Sequence, residues 1–135
     1  MDRIATRIPT PEEYAELRRA VDWPVPARPD IERALAGTYA GACAAGVEGI
    51  IGMGRLITDG AFYWYIVDVV VRPEHQSRGV GTGIMRALEV VVSQRSTTGV
   101  ANLVANADVI AFYERLGYED SGSLLMGKAV PAPCD

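Results

Sequence analysis

The pattern of apolar and polar positions along the chain predicts strands and helices in the order β-α-α-β-β-β-α-β-α-β. The first helix has the clearest start, because Thr10 can cap it, Pro11 suits its first position and Glu13 places an acid three residues after the cap. Asp30 is the expected cap of the second helix. The predicted strands are Ile4–Ile8, Thr38–Ala45, Ile50–Thr58, Ala61–Val71, Gly99–Asn106 and Ser123–Val130. The later predicted helices are Ile31–Ala36, Ile84–Gln94 and Asp108–Leu116.

One predicted strand, Ala61–Val71, is apolar at nearly every position, which is typical of a strand covered on both faces. Asp59 and Gly60 directly before it form a strong hairpin signal. An antiparallel run followed by a strand, a loop, a helix and a strand predicts an α/β fold with a mixed, largely antiparallel sheet and helices on both faces. Because no repeat, linker or low-complexity tract interrupts the pattern, we expect a single domain over residues 1–135.

The composition, 49% apolar and 22% charged residues, is that of a globular domain. No apolar run approaches the ~20 residues of a membrane span, so no membrane partner is expected. A net charge of −4 with Lys128 as the single lysine argues against a nucleic-acid partner. Cys43, Cys134 and the single histidine His75 are too few for a zinc site, and we expect no metal. Residues 1–14 lack the apolar stretch of a signal peptide, which predicts a cytoplasmic protein.

The candidate chemistry lies in a glycine-rich turn between a buried strand and a helix, at Val69–Gly83. Glycines permit positive φ, and the free N–H groups at a helix N-terminus attract anions, so this turn predicts a phosphate or pyrophosphate site. The lysine of a P-loop is absent, and the acid that follows a dinucleotide-binding fingerprint is also missing. Gln76, Gly79 and Gly81 instead match the pattern Q/R-x-x-G-x-G/A.

This turn resembles the acyl-CoA-binding motif of the GNAT N-acetyltransferase superfamily, and Asn106–Tyr118 is similar to that family's second motif. The resemblance implies the GNAT fold, with a splay between the fourth and fifth strands of its mixed sheet. It also implies an acyltransferase enzyme that uses acetyl-CoA as co-substrate and no metal. A homodimer, frequent in that family, is left open.

The resemblance further implies roles for individual residues. Backbone groups of Val69 and Val71 would pair with the pantetheine arm, and the N–H of Val70 or Val71 would face the oxyanion. Tyr113 would protonate the leaving thiolate, with a place in the core as the less favoured alternative. The cofactor-binding positions are Val69, Val70, Val71, Gln76, Ser77, Arg78, Gly79, Val80, Gly81, Thr82, Asn106 and Tyr113.

The general base and the acceptor pocket are less well defined by the sequence. Many family members carry a glutamate base near the position of Tyr65, where this chain has no acid. Asp68 is then either the base or a structural carboxylate that orders the loop, with ordered water and backbone carbonyls as a further route for the proton. Trp23, Tyr63 and Tyr65 are candidate acceptor-binding residues and can also be core.

Three functions fit these observations. The first is transfer of an acetyl group to the primary amine of a small molecule, directly within a ternary complex. The second is acetylation of a protein N-terminus or lysine. The third is a non-catalytic CoA-binding module, in which Tyr113 and Asp68 are structural.

Overall fold

The structure, a computed structural model, describes residues 3–133 and contains a four-stranded antiparallel sheet in the order β1-β2-β3-β4. Cys134 lies outside the described residues. The strands are β1 at Arg3–Ala5, β2 at Ala40–Gly46, β3 at Gly49–Thr58 and β4 at Trp64–Val71. The helices are α1 at Pro11–Ala20, α2 at Arg28–Ala36, α3 at Val80–Arg95 and α4 at Ile110–Arg115, with 3₁₀ turns at Pro73–His75 and Ala107–Val109.

The chain divides into two units, residues 1–103 and 104–135, and the sheet and the first three helices belong to the first. The α/β fold class, with an antiparallel sheet flanked by helices, is therefore confirmed. The expectation of a single domain and the splay in the sheet stay predictions. No helix within residues 3–133 has both the length and the apolar character needed to cross a membrane.

The two faces of the sheet pack against different helices because successive residues of a strand point to opposite sides. On one face Cys43 and its cross-strand partner Met53 belong to a buried cluster with residues of α1 and α2. On the other face Gly52 and Gly54 lie under α3. A Cβ atom at Gly54 would come within 2.7 Å of the Ile84 side chain, so glycine permits the close approach of this helix.

The start of α1 has the predicted capping box. The Thr10 hydroxyl accepts from the Glu13 N–H at 3.1 Å, and the Glu13 carboxylate accepts from the Thr10 N–H at 2.9 Å. Both oxygens of Glu13 also accept from Arg7 at 2.8 Å, and these hydrogen bonds lower the pKa of Glu13 to about 2. The N-terminal segment is thereby fixed to the beginning of the helix.

The helix starts predicted for α2 and α3 were wrong by a few residues. Helix α2 begins at Arg28 with Ala27 at its N-cap, so Asp30 lies in the first turn and pairs with Arg33 instead of capping the helix. A proline in a first turn is tolerated because the N–H it lacks has no intrahelical partner there. Helix α3 begins at Val80 rather than Ile84, which places Gly81 of the motif and the following Gly83 inside it.

Several predicted strands are shorter or absent. The first covers Arg3–Ala5 only, and Gly99–Asn106 is reduced to one parallel bridge between Tyr65 and Asn102. Ser123–Val130 forms no strand, and its Leu124 side chain is 87% exposed. An apolar run becomes a strand only where a neighbouring strand accepts its hydrogen bonds, and alternation along the chain carries no information about that partner.

Candidate active site

The turn between β4 and α3 is held by its own side chains and by backbone of unusual conformation. The Gln76 side-chain amide donates to the carbonyl of Val71 at 2.9 Å, which closes the turn on the end of β4. Ser77 and Gly79 both have left-handed backbone, with φ of 63° and 84°. Gly79 is the N-cap of α3, and a glycine adopts this conformation without the cost that a Cβ atom would add.

The N-terminus of α3 is open to an anion. The first N–H groups of a helix have no intrahelical acceptor, and Gly79 offers no side chain to cap them. The first turn of α3 contains no acidic residue, so the N–H groups of Val80, Gly81 and Thr82 and the helix dipole favour negative charge. Ser77, Arg78 and Gly79 before them are exposed. The exposed turn before α3 and the free N–H groups in the first turn of α3 therefore suit a pyrophosphate, while the Val80 side chain is buried.

The residues before the turn lie at the end of β4. Val70 is 3% exposed and packs in the cluster between the sheet and the helices α1 and α2, whereas Val69 and Val71 are half-buried. On its second edge, β4 bonds to Asn102, which donates to Trp64 at 2.8 Å and accepts from Ile66 at 2.9 Å. Within residues 3–133 no further bridge joins this edge, so its last residues can offer backbone groups to an extended ligand.

Asp68 lies in an irregular part of β4. Its φ is 53°, and the pairing between β3 and β4 shifts by one residue at this point. Its carboxylate accepts from the Tyr14 hydroxyl at 2.7 Å, from Nε of Arg55 at 2.9 Å and from Nη1 of Arg18 at 3.1 Å. Because both oxygens already have donors, the geometry favours the structural alternative for Asp68 over a general base.

The three partners of Asp68 were not predicted as site residues. Arg55 is also bound to the hydroxyl of Thr38 at 2.7 Å, and its side chain is only 10% exposed. Arg18 donates to the carbonyl of Pro24 at 2.6 Å and lies over the Tyr14 ring at 5.5 Å. The one available signal was Arg55, the only charged residue of the apolar strand β3. A lone charge in such a strand requires a buried partner.

The three aromatic candidates for the acceptor pocket are in different surroundings. Trp23 is partly buried against the core and lies over the Arg18 guanidinium at 5.4 Å. Tyr63 is 57% exposed and stacks on Phe62, and Tyr65 is 40% exposed on β4. Among the ring contacts of residues 3–133, none joins two of these three. The structure thus leaves Tyr63 and Tyr65 accessible and does not bring the three aromatic rings into contact.

In the second unit Tyr113 lies on α4, where its ring meets those of Phe112 and Tyr118 edge to face at 5.0 and 6.0 Å. Burial raises the pKa of Tyr113, so its hydroxyl keeps its proton at neutral pH. Asn106 is exposed, and its carbonyl accepts from the Val109 N–H at 3.0 Å. It caps the 3₁₀ turn rather than ending a strand.

The remaining candidates show no catalytic arrangement. Cys43 is buried, and burial raises the pKa of its thiol to about 11, which keeps it protonated and unreactive. His75 is half-buried, and its Nδ1 atom has no hydrogen-bond partner among the described residues. Residues 3–133 contain no group of three or more His, Cys, Asp or Glu side chains that could hold a metal ion.

Comparison with known proteins adds a family to this geometry. The model of the "Acetyltransferase (GNAT) family" matches residues 6–118. The curated relatives include GCN5-related N-acetyltransferase 2, chloroplastic, of Arabidopsis thaliana, 40% identical over 52% of this chain and 27% of that protein. Histone acetyltransferase TAP1 of Glycine max is 39% identical over 52% of this chain and 30% of that protein. The match thus spans less than a third of either relative.

Solved structures share the fold over nearly the whole chain. The protein SA2161 of methicillin-resistant Staphylococcus aureus, a probable acetyltransferase, has a TM-score of 0.85 and 26% identity over 98% of this chain and 100% of that one. Glucosamine-6-phosphate N-acetyltransferase of Arabidopsis thaliana has a TM-score of 0.72 over 96% of this chain and 99% of that one, at 15% identity. At that identity the second likeness concerns the fold alone.

Proposed function

Because the chain belongs to the acetyltransferase (GNAT) family of acyltransferase enzymes, we propose that it moves an acetyl group from acetyl-CoA to the primary amine of a small molecule. The transfer is direct, within a ternary complex. The observation that carries this proposal is the turn between β4 and α3. In it the Gln76 amide donates to the Val71 carbonyl, and Gly79 at the N-cap leaves the first N–H groups of α3 without a side-chain acceptor. The turn directly follows a strand whose second edge has only one bridge among residues 3–133.

The described residues fit acetyl-CoA as the co-substrate. The N–H groups of Val80, Gly81 and Thr82 suit the pyrophosphate because they point along a helix dipole and lack a competing carboxylate. The backbone of Val69 and Val71 suits the pantetheine arm, which carries amides that can pair with a strand edge. No metal is required for this chemistry, since the thioester is already activated.

The transfer itself forms a C–N bond and breaks a C–S bond. In our proposal the N–H of Val70 or Val71 stabilises the oxyanion, and Tyr113 gives its proton to the departing thiolate. A tyrosine is protonated at neutral pH, and burial raises the pKa of Tyr113 further, so its hydroxyl carries the proton that this role requires. The proton of the amine leaves through water and backbone carbonyls, since the oxygens of Asp68 already accept hydrogen bonds.

The acceptor, the location and the partners are also proposals. We favour a small amine, with the exposed Tyr63 and Tyr65 and the partly buried Trp23 as candidate contacts. A protein acceptor is the second candidate, because one relative is named a histone acetyltransferase. We further propose a cytoplasmic protein that binds no nucleic acid and no membrane, with a homodimer as the open alternative to a monomer.

Calorimetric titration with acetyl-CoA, with NAD as the control ligand, tests the cofactor. We expect acetyl-CoA to bind and NAD to show no heat of binding. A Gly81→Leu variant adds a bulky side chain at the open helix end, and we expect at least tenfold weaker binding. Equal binding of both ligands, or no binding of acetyl-CoA, would refute the proposed function.

A further inference from the structure

We infer that Asp68 is a positioning residue, whose clamp by Arg55, Arg18 and Tyr14 fixes the bulge of β4 and thereby the direction of the backbone that receives acetyl-CoA. The inference rests on the proposed function and assigns a role to a group of side chains that the transfer itself does not use. Two roles are then possible for the Asp68 carboxylate. A positioning residue would act on the backbone that binds acetyl-CoA, whereas a general base would act on the acceptor amine.

The bulge of β4 is a local irregularity in its pairing with β3. Met53 pairs with Val70 and Arg55 pairs with Val67, so Asp68 and Val69 together oppose Gly54. Asp68 adopts a φ of 53°, which is uncommon for a residue with a side chain. Such a conformation persists only when the surrounding structure enforces it.

The clamp supplies that enforcement. Arg55 reaches Asp68 from the neighbouring strand with Nε at 2.9 Å and Nη2 at 2.8 Å, and Arg18 and Tyr14 reach it from α1. The side chains of Asp68, Arg18 and Arg55 are 15%, 16% and 10% exposed, so water replaces these interactions poorly. Three donors on two elements therefore hold one carboxylate in one place.

The clamp lies directly beside the proposed cofactor strand. Val69 follows Asp68 in the chain, so the backbone conformation of Asp68 sets where the N–H and carbonyl groups of Val69 and Val71 point. The same clamp fixes Arg18, which binds Pro24 and lies against the ring of Trp23. One ion-pair cluster thus orders both the cofactor strand and the segment after α1.

Two variants of Asp68 separate positioning from catalysis. Asn tolerates left-handed backbone and accepts hydrogen bonds through its carbonyl, but it cannot act as a base. The Ala side chain accepts no hydrogen bond, and a left-handed Ala is disfavoured by a factor of about ten. We expect Asp68→Asn to keep kcat within about threefold of the parent, and Asp68→Ala to weaken acetyl-CoA binding by about tenfold.

The measurements are the Kd of acetyl-CoA by calorimetry, kcat at saturating acetyl-CoA across pH, and Tm. Loss of kcat in Asp68→Asn by 100-fold or more, with loss of the acidic limb of the pH profile, would assign Asp68 as the base. A lower Tm with an unchanged Kd in every variant would leave the clamp a purely structural feature. Either result overturns the inference while acetyl-CoA binding by the parent still supports the proposed function.

Two further variants keep the test informative if Asp68→Ala does not fold. Asp68→Gly removes the carboxylate but allows the left-handed backbone, and because the clamp is lost we expect it to fold and to bind acetyl-CoA severalfold more weakly than Asp68→Asn. Arg28→Gln removes an exposed arginine whose partners are Glu12 and Glu32, and it should leave both Kd and kcat unchanged. A parent protein without affinity for acetyl-CoA would refute the inference and the proposed function together.

Discussion

At the scale of single residues, Tyr113 offers the most direct test of catalysis. A phenol is protonated at neutral pH, and burial raises the pKa of this hydroxyl further, so it holds a proton that it can donate to a basic thiolate. We expect Tyr113→Phe to lower kcat by about 100-fold while the Kd of acetyl-CoA stays within twofold, since a general acid contributes to the transition state. Rates from single turnovers and calorimetry measure the two quantities separately.

Tyr39→Phe is the matched control, because it removes the hydroxyl of a tyrosine that is 45% exposed and packs edge to face on Trp64. It should leave kcat unchanged. If Tyr113→Phe were as active as the parent, the general acid would have to be another group. If the parent and Tyr113→Phe both turned over at the background rate, the chain would be a CoA-binding module.

Individual residues also show what sequence could predict. The turn residues Gln76 and Gly79 were predicted because their spacing is local, and the structure places them in one turn. Asp68 was recognised as a costly charge in an apolar strand, but its partners were not. Arg18 and Arg55 are 50 and 13 residues away from it, and no local pattern encodes a contact that folding creates.

At the scale of elements, alanine substitutions at two glycines with nearly the same φ test whether the N-terminus of α3 binds acetyl-CoA. Gly79 has a φ of 84° and Gly60 in the hairpin has a φ of 83°, and a Cβ atom meets no neighbour at either position. Alanine at either site should therefore lower the free energy of unfolding by about 1–2 kcal/mol. Only Gly79→Ala should also weaken acetyl-CoA binding, by about tenfold, because it disturbs the start of the helix.

Chemical denaturation and calorimetry on both variants measure these effects. Gly60 is a matched control because Asp59 organises its hairpin by accepting from the N–H groups of Ala61, Phe62 and Tyr63, away from the turn. Equal loss of acetyl-CoA affinity in the two variants would mean that backbone strain acts globally. Unchanged affinity in Gly79→Ala would remove the N-terminus of α3 from the proposed cofactor site.

Local end signals predicted some element boundaries correctly and others wrongly, since the capping box of α1 forms whereas Asp30 does not cap α2. The Thr10–Glu13 capping box is formed as expected, since it depends on residues close together in sequence. The hairpin at Asp59 also forms, but its loop extends to Tyr63, so β4 begins at Trp64 and not at the predicted Ala61. Helix α3 starts early because nothing in the residue pattern distinguishes a glycine of the turn from a glycine of the first helical turn. The segment Ser123–Val130 was predicted as a strand and lacks one.

At the scale of the whole molecule, membership of the family supports the proposed acetyl transfer and leaves the acceptor open. The family model covers residues 6–118, but the curated relatives match only about half of the chain and are much longer proteins. Proteins that share a fold act on many different substrates, so likeness to solved structures of low identity does not identify the acceptor. The acceptor therefore has to be determined by competition between chemical classes.

We expect small primary amines to exceed lysine-containing peptides by at least tenfold in kcat/KM, measured as thiol release from acetyl-CoA. The assay is run at several ionic strengths, because a chain of net charge −4 attracts polycationic peptides at low salt by long-range electrostatics, without specific contacts at the site. Near 0.15 M salt the screening length is about 8 Å, and only contacts at the site then separate the acceptors. A peptide preference that persists at this salt concentration would replace the small amine with a protein acceptor. A peptide preference that disappears as salt is added would reflect the acidic surface alone and would leave the small-amine proposal standing.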